Sequence, residues 1–379
     1  VAGIRWQLTV GVYDNLFLRV AVSVFSCIQA FIMPMFFFIA AYFTAGSYGR
    51  KGAHVFLLDK AKRLLIPAIF AFLTIVPLTK MLGQAVGGVE VNYMPNAGPE
   101  WFIFWLLTMD WAYSSFYEAL RPVMTTEDAA EGRALRKMPG TLVRMACGLG
   151  FCGFLSFMLF YLLQQTSKNY NLAGMPISVG SLPCNIFLYC VGIYARSNNW
   201  LDANTNIRDQ MDIHPWVLRV LVVLEYGLLV AMIHLLLNDP QGEDPNAILY
   251  RVLYMVGAGL YCLDASLMTI DFFQMNVNFE NKVTRFFADQ SYTVYLTHVF
   301  VVVSWTAVFI KVYESFASVP LTFYPAAGGF TFSPTVLEGG TEGALTLGLS
   351  CFAVIVLSQL TTWPLAWCIR KLPGMNKFI

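Results

Sequence analysis

The chain has 379 residues, of which 57% are hydrophobic and 12% are charged, whereas soluble domains contain about 45–50% apolar and about 25% charged residues. This composition excludes most soluble folds and predicts an integral membrane protein. The net charge of +1 argues against a nucleic-acid-binding protein, because such domains are basic and cluster their Lys and Arg residues.

Apolar runs long enough to cross a bilayer recur along the chain, separated by charged, Gly-rich or Pro-rich breaks. One crossing needs about 20 apolar residues, with a lower limit of about 17. Nine runs meet this description, at residues 21–46, 64–80, 101–120, 145–163, 177–195, 216–237, 252–273, 291–312 and 343–369. The sequence therefore predicts an all-α, polytopic membrane helix bundle, with residues 1–379 forming one integral membrane domain.

The Lys and Arg residues are unevenly divided between the two sets of connections. Of the 24, 18 lie in alternate connections and the C-terminal tail, and 6 lie on the other side. Because cytoplasmic loops carry the basic excess, we expect a cytoplasmic C terminus. With nine spans, Val1 then lies on the opposite face.

The cysteine residues give no sign of a disulfide framework or a metal site. All eight lie in apolar stretches, without a Cys-x-x-Cys pair and without a His at metal-ligand spacing. We interpret them as packing residues and predict no metal site.

Four short motifs follow one another along the chain. They are Phe-Ile-Met-Pro-Met-Phe-Phe-Phe-Ile-Ala-Ala-Tyr-Phe at 31–43, Lys-Ala-Lys-Arg-Leu-Leu-Ile-Pro at 60–67, Gly-Pro-Glu-Trp-Phe at 98–102 and Ser-Tyr-Thr-Val-Tyr-Leu-Thr-His at 291–298. In this order they resemble the acyltransferase-3 family, the multi-helix membrane acyltransferases, over essentially the whole chain. The chain departs from the family where Ala40 and Ala41 replace Ser-Gly, and where Glu100 replaces an apolar residue or His.

The resemblance implies transfer of an acyl group from cytosolic acyl-CoA to the hydroxyl of an acceptor such as a carbohydrate. The favoured acyl group is acetyl. Acetyl-CoA would be a co-substrate, and no cofactor would be bound permanently. A His general base would deprotonate the hydroxyl, and preorganised donors would stabilise the oxyanion. The partners are then the lipid bilayer, acyl-CoA and the acceptor.

The family has ten spans, and its first helix typically carries a basic residue followed by the catalytic His. No such pattern precedes Phe31. Together with the odd number of spans, this predicts that the first helix and its base are missing from these residues. The alternative is a true nine-span relative that has lost the chemistry.

The basic cluster of the second motif is the candidate site for the phosphates of coenzyme A. It consists of Lys60, Lys62 and Arg63, and guanidinium and ammonium groups bind phosphate oxygens by charge-assisted hydrogen bonds. The alternative is that these cations only anchor the cytoplasmic end of the span.

The fourth motif supplies the candidate catalytic residues, His298, Tyr295 and Tyr292. His298 lies seven residues into the predicted span, and Tyr295 and Ser291 precede it at i−3 and i−7 on the same helical face. Ionisable groups at such depth usually face the bundle interior or a wet cavity. We assign Ser291 to the substrate pathway, and the alternative for His298 is a structural packing residue.

Three further residues are candidates for the substrate pathway: Trp101, Asp264 and Glu225. An interfacial anchor explains Trp101 equally well, and pairing between helices explains the two carboxyls. Buried carboxyls and kinked helices also fit a second class of function, a transporter or channel that exports a small or lipid-linked molecule without catalysis. Inverted repeats would favour transport, and the sequence shows none.

Overall fold

The computed structural model describes a bundle of long α-helices. The described residues are 16–86, 88, 90–124, 141–164, 171–172, 175–176, 181–201, 207, 211, 213–238, 244–317, 323–326, 329–332 and 340–372.

The helices run as follows in chain order. They are α1 (Leu16–Lys51), α2 (Ala53–Lys60), α3 (Ile66–Leu73), α4 (Ile75–Val86), α5 (Trp101–Met124), α6 (Thr141–Gln164), α7 (Leu182–Ser197), α8 (Pro215–Asn238), α9 (Ala247–Phe272), α10 (Lys282–Ala317) and α11 (Gly340–Lys371). Shorter elements are π-turns at Ala61–Leu65 and Phe273–Val277 and a 3₁₀ turn at Gly98–Glu100. Two small antiparallel hairpins pair β1 (Asn171–Leu172) with β2 (Met175–Pro176), and β3 (Phe323–Ala326) with β4 (Gly329–Phe332).

Seven stretches of the described residues are long and apolar enough to cross a membrane. They are Arg19–Lys51, Ala53–Val86, Thr141–Leu159, Pro215–Asn238, Ala247–Val277, Lys282–Phe309 and Gly348–Lys371. Each matches one of the nine predicted spans, and the other two predicted spans fold as α5 and α7. The prediction of an all-α polytopic membrane bundle is confirmed.

The stretch that contains the second motif is much longer than the predicted span 64–80, because α2, the first π-turn, α3 and α4 follow one another from Ala53 to Val86. Pro67 is the reason for the π-turn. A proline inside a helix lacks an N–H and clashes with the carbonyl four residues earlier, and a π-turn relieves such a clash by widening the helix. Pro67, which lies inside the predicted span, therefore perturbs the helix without ending it.

The helices α1 and α7 pack closely against each other at the first motif. A Cβ added at Gly192 of α7 would lie 2.2 Å from the carbonyl oxygen of Phe38 and 2.9 Å from the Cβ of Ala41. Ala41 is fully buried. The small residues of the motif thus allow the two helix backbones to approach each other, which is how helices associate in membranes.

The buried side chains form several apolar clusters around α1. One cluster joins α1 with α6, α7, α8 and α9, and a second joins α1 with α5 and α7. A third cluster joins α3, α5 and α10 through Ala68, Ala71, Ile103 and Leu296. This third cluster fixes α10, which carries the fourth motif, beside the helix that carries the second.

Candidate active site

Two tyrosines of the fourth motif fasten α10 to its neighbours. The Tyr292 hydroxyl donates a hydrogen bond of 2.9 Å to the carbonyl oxygen of Leu64 in the π-turn. The Tyr295 hydroxyl donates to the carbonyl oxygen of Pro99 in the 3₁₀ turn. Both hydroxyl protons are therefore used in holding backbone segments together, and neither is free to donate to a reaction intermediate in this arrangement.

The segment that precedes α5, residues 90–100, does not stay near the end of α4 at Val86. It runs back along α4 toward the start of that helix. The Tyr93 hydroxyl donates a hydrogen bond of 2.6 Å to the carbonyl oxygen of Leu73, and a Cβ added at Gly98 would lie 3.0 Å from the Val76 methyl groups. Ten residues separate Val76 from the end of α4 at Val86, which is about 15 Å of helix. The 3₁₀ turn therefore lies deep in the bundle, and Gly98 is needed there because its φ is +47°.

His298 lies near the middle of α10, with its side chain partly buried. Its Nδ1 is 2.6 Å from the carbonyl oxygen of Tyr295. Because a carbonyl oxygen can only accept, Nδ1 carries a proton, and in the neutral ring Nε2 then has a free lone pair. No hydrogen bond to Nε2 from the described part of the chain is present, so this nitrogen is available to accept a proton.

Two other predicted residues are not part of the same arrangement. Ser291 is exposed, and its hydroxyl donates to the carbonyl oxygen of Phe287 in its own helix at 2.7 Å. Trp101 is buried, with 6% of its surface exposed, in the cluster that contains Phe37. The structure therefore groups Tyr292, Tyr295 and His298 and gives Ser291 and Trp101 other surroundings.

The basic cluster of the second motif divides into buried and exposed cations. Lys60 extends into the bundle, where its Nζ lies 2.9 Å from Oδ2 of Asp110 and 3.1 Å from the Thr44 hydroxyl. Asp110 is fully buried, and its Oδ1 accepts hydrogen bonds from Thr44 and Tyr189 at 2.9 and 2.8 Å. The amine of Lys60, predicted to bind phosphate, is thus engaged in a buried ion pair between α2 and α5.

Arg63 and Lys62 remain at the surface. The Arg63 side chain is 70% exposed, and its Nε lies 2.9 Å from Oδ1 of Asp59. Asp59 also pairs with Lys51, at 2.6 Å. Lys62 is exposed. These two cations are therefore more accessible to an anionic ligand than Lys60, whose side chain is 21% exposed and engaged with Asp110.

A cavity of about 350 Å³ opens between the π-turn and α5. Its lining is mainly apolar and includes Leu57, Leu65 and Leu107, with Lys60 and Asp110 among the lining residues. This volume lies within the range of small-molecule sites, about 300–1,000 Å³. The buried ion pair therefore borders a space large enough for part of a ligand.

The two predicted pathway carboxyls meet in a different part of the bundle. Glu225 of α8 and Asp264 of α9 lie close enough to interact electrostatically. Asp264 is 6% exposed, and the buried Oε2 of Glu225 has no hydrogen-bond partner in the described structure. They form a carboxyl pair in the region of α1, α8 and α9, whereas His298 lies on α10.

Sequence reasoning singled out Glu100 only as a departure from the family motif. The side chain is fully buried, and neither of its carboxyl oxygens has a hydrogen-bond partner among the residues described. It interacts electrostatically with both Tyr292 and Tyr295. The signal in the sequence was an acidic residue immediately before an apolar span, but local sequence does not reveal how deeply that turn is buried.

Comparison with known proteins gives one result. The model of the family Acyl_transf_3, described as an acyltransferase domain, matches residues 5–338. No curated protein and no solved structure matches the chain significantly.

Proposed function

Because the chain belongs to the acyltransferase-3 family, we propose that it transfers an acyl group, such as acetyl, from acyl-CoA to a hydroxyl of an acceptor such as a carbohydrate. Family membership supports acyl transfer in a multi-pass membrane protein. The donor, the acceptor and the residues below are our assignments. No permanently bound cofactor is needed for this chemistry.

The observation that carries the proposal is the contact between Nδ1 of His298 and the carbonyl oxygen of Tyr295. A neutral imidazole with its proton on Nδ1 and a free Nε2 has the form of a general base. In the proposed reaction, Nε2 takes the proton of the acceptor hydroxyl while the oxygen attacks the thioester carbonyl. The hydrogen bond from Nδ1 to the Tyr295 carbonyl fixes this tautomer, and it remains in place as the ring becomes positive.

Arg63 and Lys62 are the proposed phosphate-binding residues. Both side chains are exposed, and the excess of Lys and Arg in their connections supports a cytoplasmic position, where acyl-CoA would be present. The contact from Tyr292 to Leu64 places Arg63 beside the part of α10 that leads to His298. We assign Lys60 to the buried ion pair and no longer to phosphate binding.

The direct test is an assay of the protein in proteoliposomes with acetyl-CoA labelled in the acetyl group and a panel of carbohydrate acceptors. Transfer of label together with release of free coenzyme A thiol is the expected result. The variant His298→Gln should lower kcat by about 10²–10⁴-fold, the usual contribution of a general base. His234→Gln is the matched control, since His234 also lies within a long apolar helix and contacts Arg19. Undiminished transfer by His298→Gln would return His298 to a packing role.

Transport is the second candidate function, and the carboxyl pair of Glu225 and Asp264 is the observation that favours it. Carboxyl groups within membrane-spanning helices mark ion and proton pathways. Proton flux into proteoliposomes containing a pH-sensitive dye tests this candidate. Flux that is lost in Glu225→Gln while acyl transfer persists would separate the two functions.

A further inference from the structure

Glu100 occupies an unusual position at the end of the segment that turns back into the bundle. Residues 90–95 are exposed, whereas Glu100 has no exposed surface. In membrane proteins, non-helical backbone at such depth is found where it is buried in protein or lines a cavity. The turn therefore places the acidic side chain of Glu100 in the interior of the bundle.

The carboxyl of Glu100 has no partner that would explain its burial. Both oxygens are without hydrogen bonds in the described part of the chain. The nearby phenols of Tyr292 and Tyr295 donate to the carbonyls of Leu64 and Pro99 instead. Buried glutamates are almost always paired, and a native group that is not paired calls for an explanation such as a catalytic role.

The surroundings favour the protonated carboxylic acid. The side chain has no exposed surface, and no salt bridge joins its carboxyl to a cation of the described structure. Removing an unpaired carboxylate from water is far more costly than protonating it. Glu100 is thus a neutral acid that can donate its proton to a stronger base.

The order of groups along α10 suggests which atom of the substrates receives the proton of Glu100. His298 is one turn beyond Tyr295, and their rings are 5.9 Å apart. Glu100 follows Pro99, which accepts the Tyr295 hydrogen bond, and Tyr292 contacts Leu64 next to Arg63. The order is therefore base, acid, phosphate-binding cation. In the substrates, the acceptor oxygen, the thioester sulfur and the phosphates of coenzyme A follow one another in the same order.

We propose that Glu100 is the general acid that protonates the sulfur of coenzyme A as it leaves, an assignment that rests on the proposed acyl transfer. The C–O bond between the acyl carbon and the acceptor oxygen forms, and the proton of the acceptor hydroxyl passes to Nε2 of His298. The C–S bond breaks and the proton of the Glu100 carboxyl passes to sulfur, which leaves as a thiol. The imidazolium and the carboxylate then return to their starting forms by transfer of one proton through water, so the cycle consumes no proton.

The test compares two acyl donors that differ in their leaving groups. One is acetyl-CoA, whose alkyl thiolate needs a proton, and the other is the acetyl thioester of thionitrobenzoate, whose aryl thiolate is a stable anion. Glu100→Gln should lower kcat with acetyl-CoA by about a hundredfold or more. With the aryl thioester the same variant should retain the rate within about threefold, because no proton is needed.

The chain offers controls for both folding and location. Glu90→Gln makes the same change at an exposed position of the same segment and should leave both rates unchanged. Glu100→Leu removes the unpaired carboxyl altogether, so its thermal stability in detergent should equal or exceed that of the unaltered protein, while its rate with acetyl-CoA falls. This second variant keeps the comparison valid if the amide disturbs folding.

Two results would overturn the assignment. One is an equal loss with both donors, which would indicate a role in structure or binding. The other is full activity with acetyl-CoA in both Glu100 variants. Failure of the proposed function is a different result, since the unaltered protein would then transfer from neither donor and the assignment of Glu100 would fall with it.

Discussion

The amine of Lys60 lies 2.9 Å from the carboxylate of Asp110, which has no exposed surface. This ion pair joins two elements separated by 50 positions in the chain, α2 and α5. The hydroxyl groups of Thr44 and Tyr189 also donate to the same carboxylate. Four segments of the bundle thus meet at one buried charge, beside the cavity between the π-turn and α5.

The first prediction is that Lys60→Met destabilises the protein strongly. Removing one partner of a buried pair leaves the other charge uncompensated, which costs about 3–5 kcal/mol. Thermal unfolding in detergent, followed by intrinsic fluorescence, should show a clear fall in the melting temperature. Lys62→Met is the matched control, because Lys62 is exposed.

The double variant Lys60→Met/Asp110→Asn checks the cause. It removes the buried charge and retains an oxygen that can accept from Thr44 and Tyr189, so it should recover part of the lost stability. A single variant as stable as the unaltered protein would show that the pair contributes little to holding α2 and α5 together.

The second prediction concerns Arg63→Gln. If Arg63 binds a phosphate of coenzyme A, the loss of a charge-assisted interaction worth about 1.5–3 kcal/mol raises the KM for acyl-CoA about tenfold or more and leaves kcat unchanged. Folding should be preserved because the exposed pair with Asp59 is worth only about 0–1 kcal/mol, and Asp59 keeps Lys51.

Arg285→Gln provides the control for Arg63→Gln. Arg285 is 73% exposed and lies 3.9 Å from the carboxylate of Glu280, so it resembles Arg63 in exposure and pairing. Steady-state kinetics at varied acyl-CoA should leave its KM unchanged. If both substitutions raised the KM for acyl-CoA equally, the effect would come from the overall surface charge, and Arg63 would not form a phosphate site.

The sequence predicted the helices well because apolar length alone determines whether a segment can span a bilayer. It failed at the ends of the stretch from Ala53 to Val86, because Lys60, Lys62 and Arg63 are typical of a connection, whereas they lie within the continuous helical stretch. Local pattern also placed Tyr295 one turn before His298 on the same helix, because a spacing of three residues is a property of the helix itself.

Long-range contacts account for what the sequence could not predict. The return of the segment before α5 depends on hydrogen bonds from Tyr93 to Leu73 and from Tyr295 to Pro99. The Pro99 partner lies 196 positions away in the chain. A cation cluster in one motif cannot reveal that Lys60 turns inward to Asp110 while Arg63 stays exposed, because this depends on how α2 meets α5.

The third prediction is that Gly192→Ala destabilises the bundle by about 1–3 kcal/mol, the usual cost of overpacking. The added methyl group would lie 2.2 Å from the carbonyl oxygen of Phe38, so α1 and α7 would have to move apart. Gly227→Ala is the control within α8, where an added Cβ meets nothing within 4 Å. Because alanine favours helices, this control should be neutral or stabilising by about 0.5–1 kcal/mol. Melting temperatures that change equally in both variants would contradict the close contact between α1 and α7.

The fourth prediction separates structure from catalysis in the fourth motif. Tyr292→Phe and Tyr295→Phe each remove one hydroxyl that donates to a backbone carbonyl. Each should lower stability by about 1 kcal/mol, the usual net contribution of a hydrogen bond. Because the protons of these hydroxyls are engaged with Leu64 and Pro99, kcat should stay within about threefold of the unaltered value, far less than the effect of removing a catalytic donor.

Measuring the melting temperature and kcat of the same preparations distinguishes the two roles. A fall in kcat of a hundredfold or more without loss of stability would mean that the hydroxyl leaves its carbonyl when substrate binds and stabilises the oxyanion. Tyr189→Phe gives a reference for the stability lost with one hydroxyl. It also removes a hydroxyl that donates to a single buried acceptor, Asp110. Since that acceptor is charged, Tyr189→Phe should lose more stability than either variant on α10.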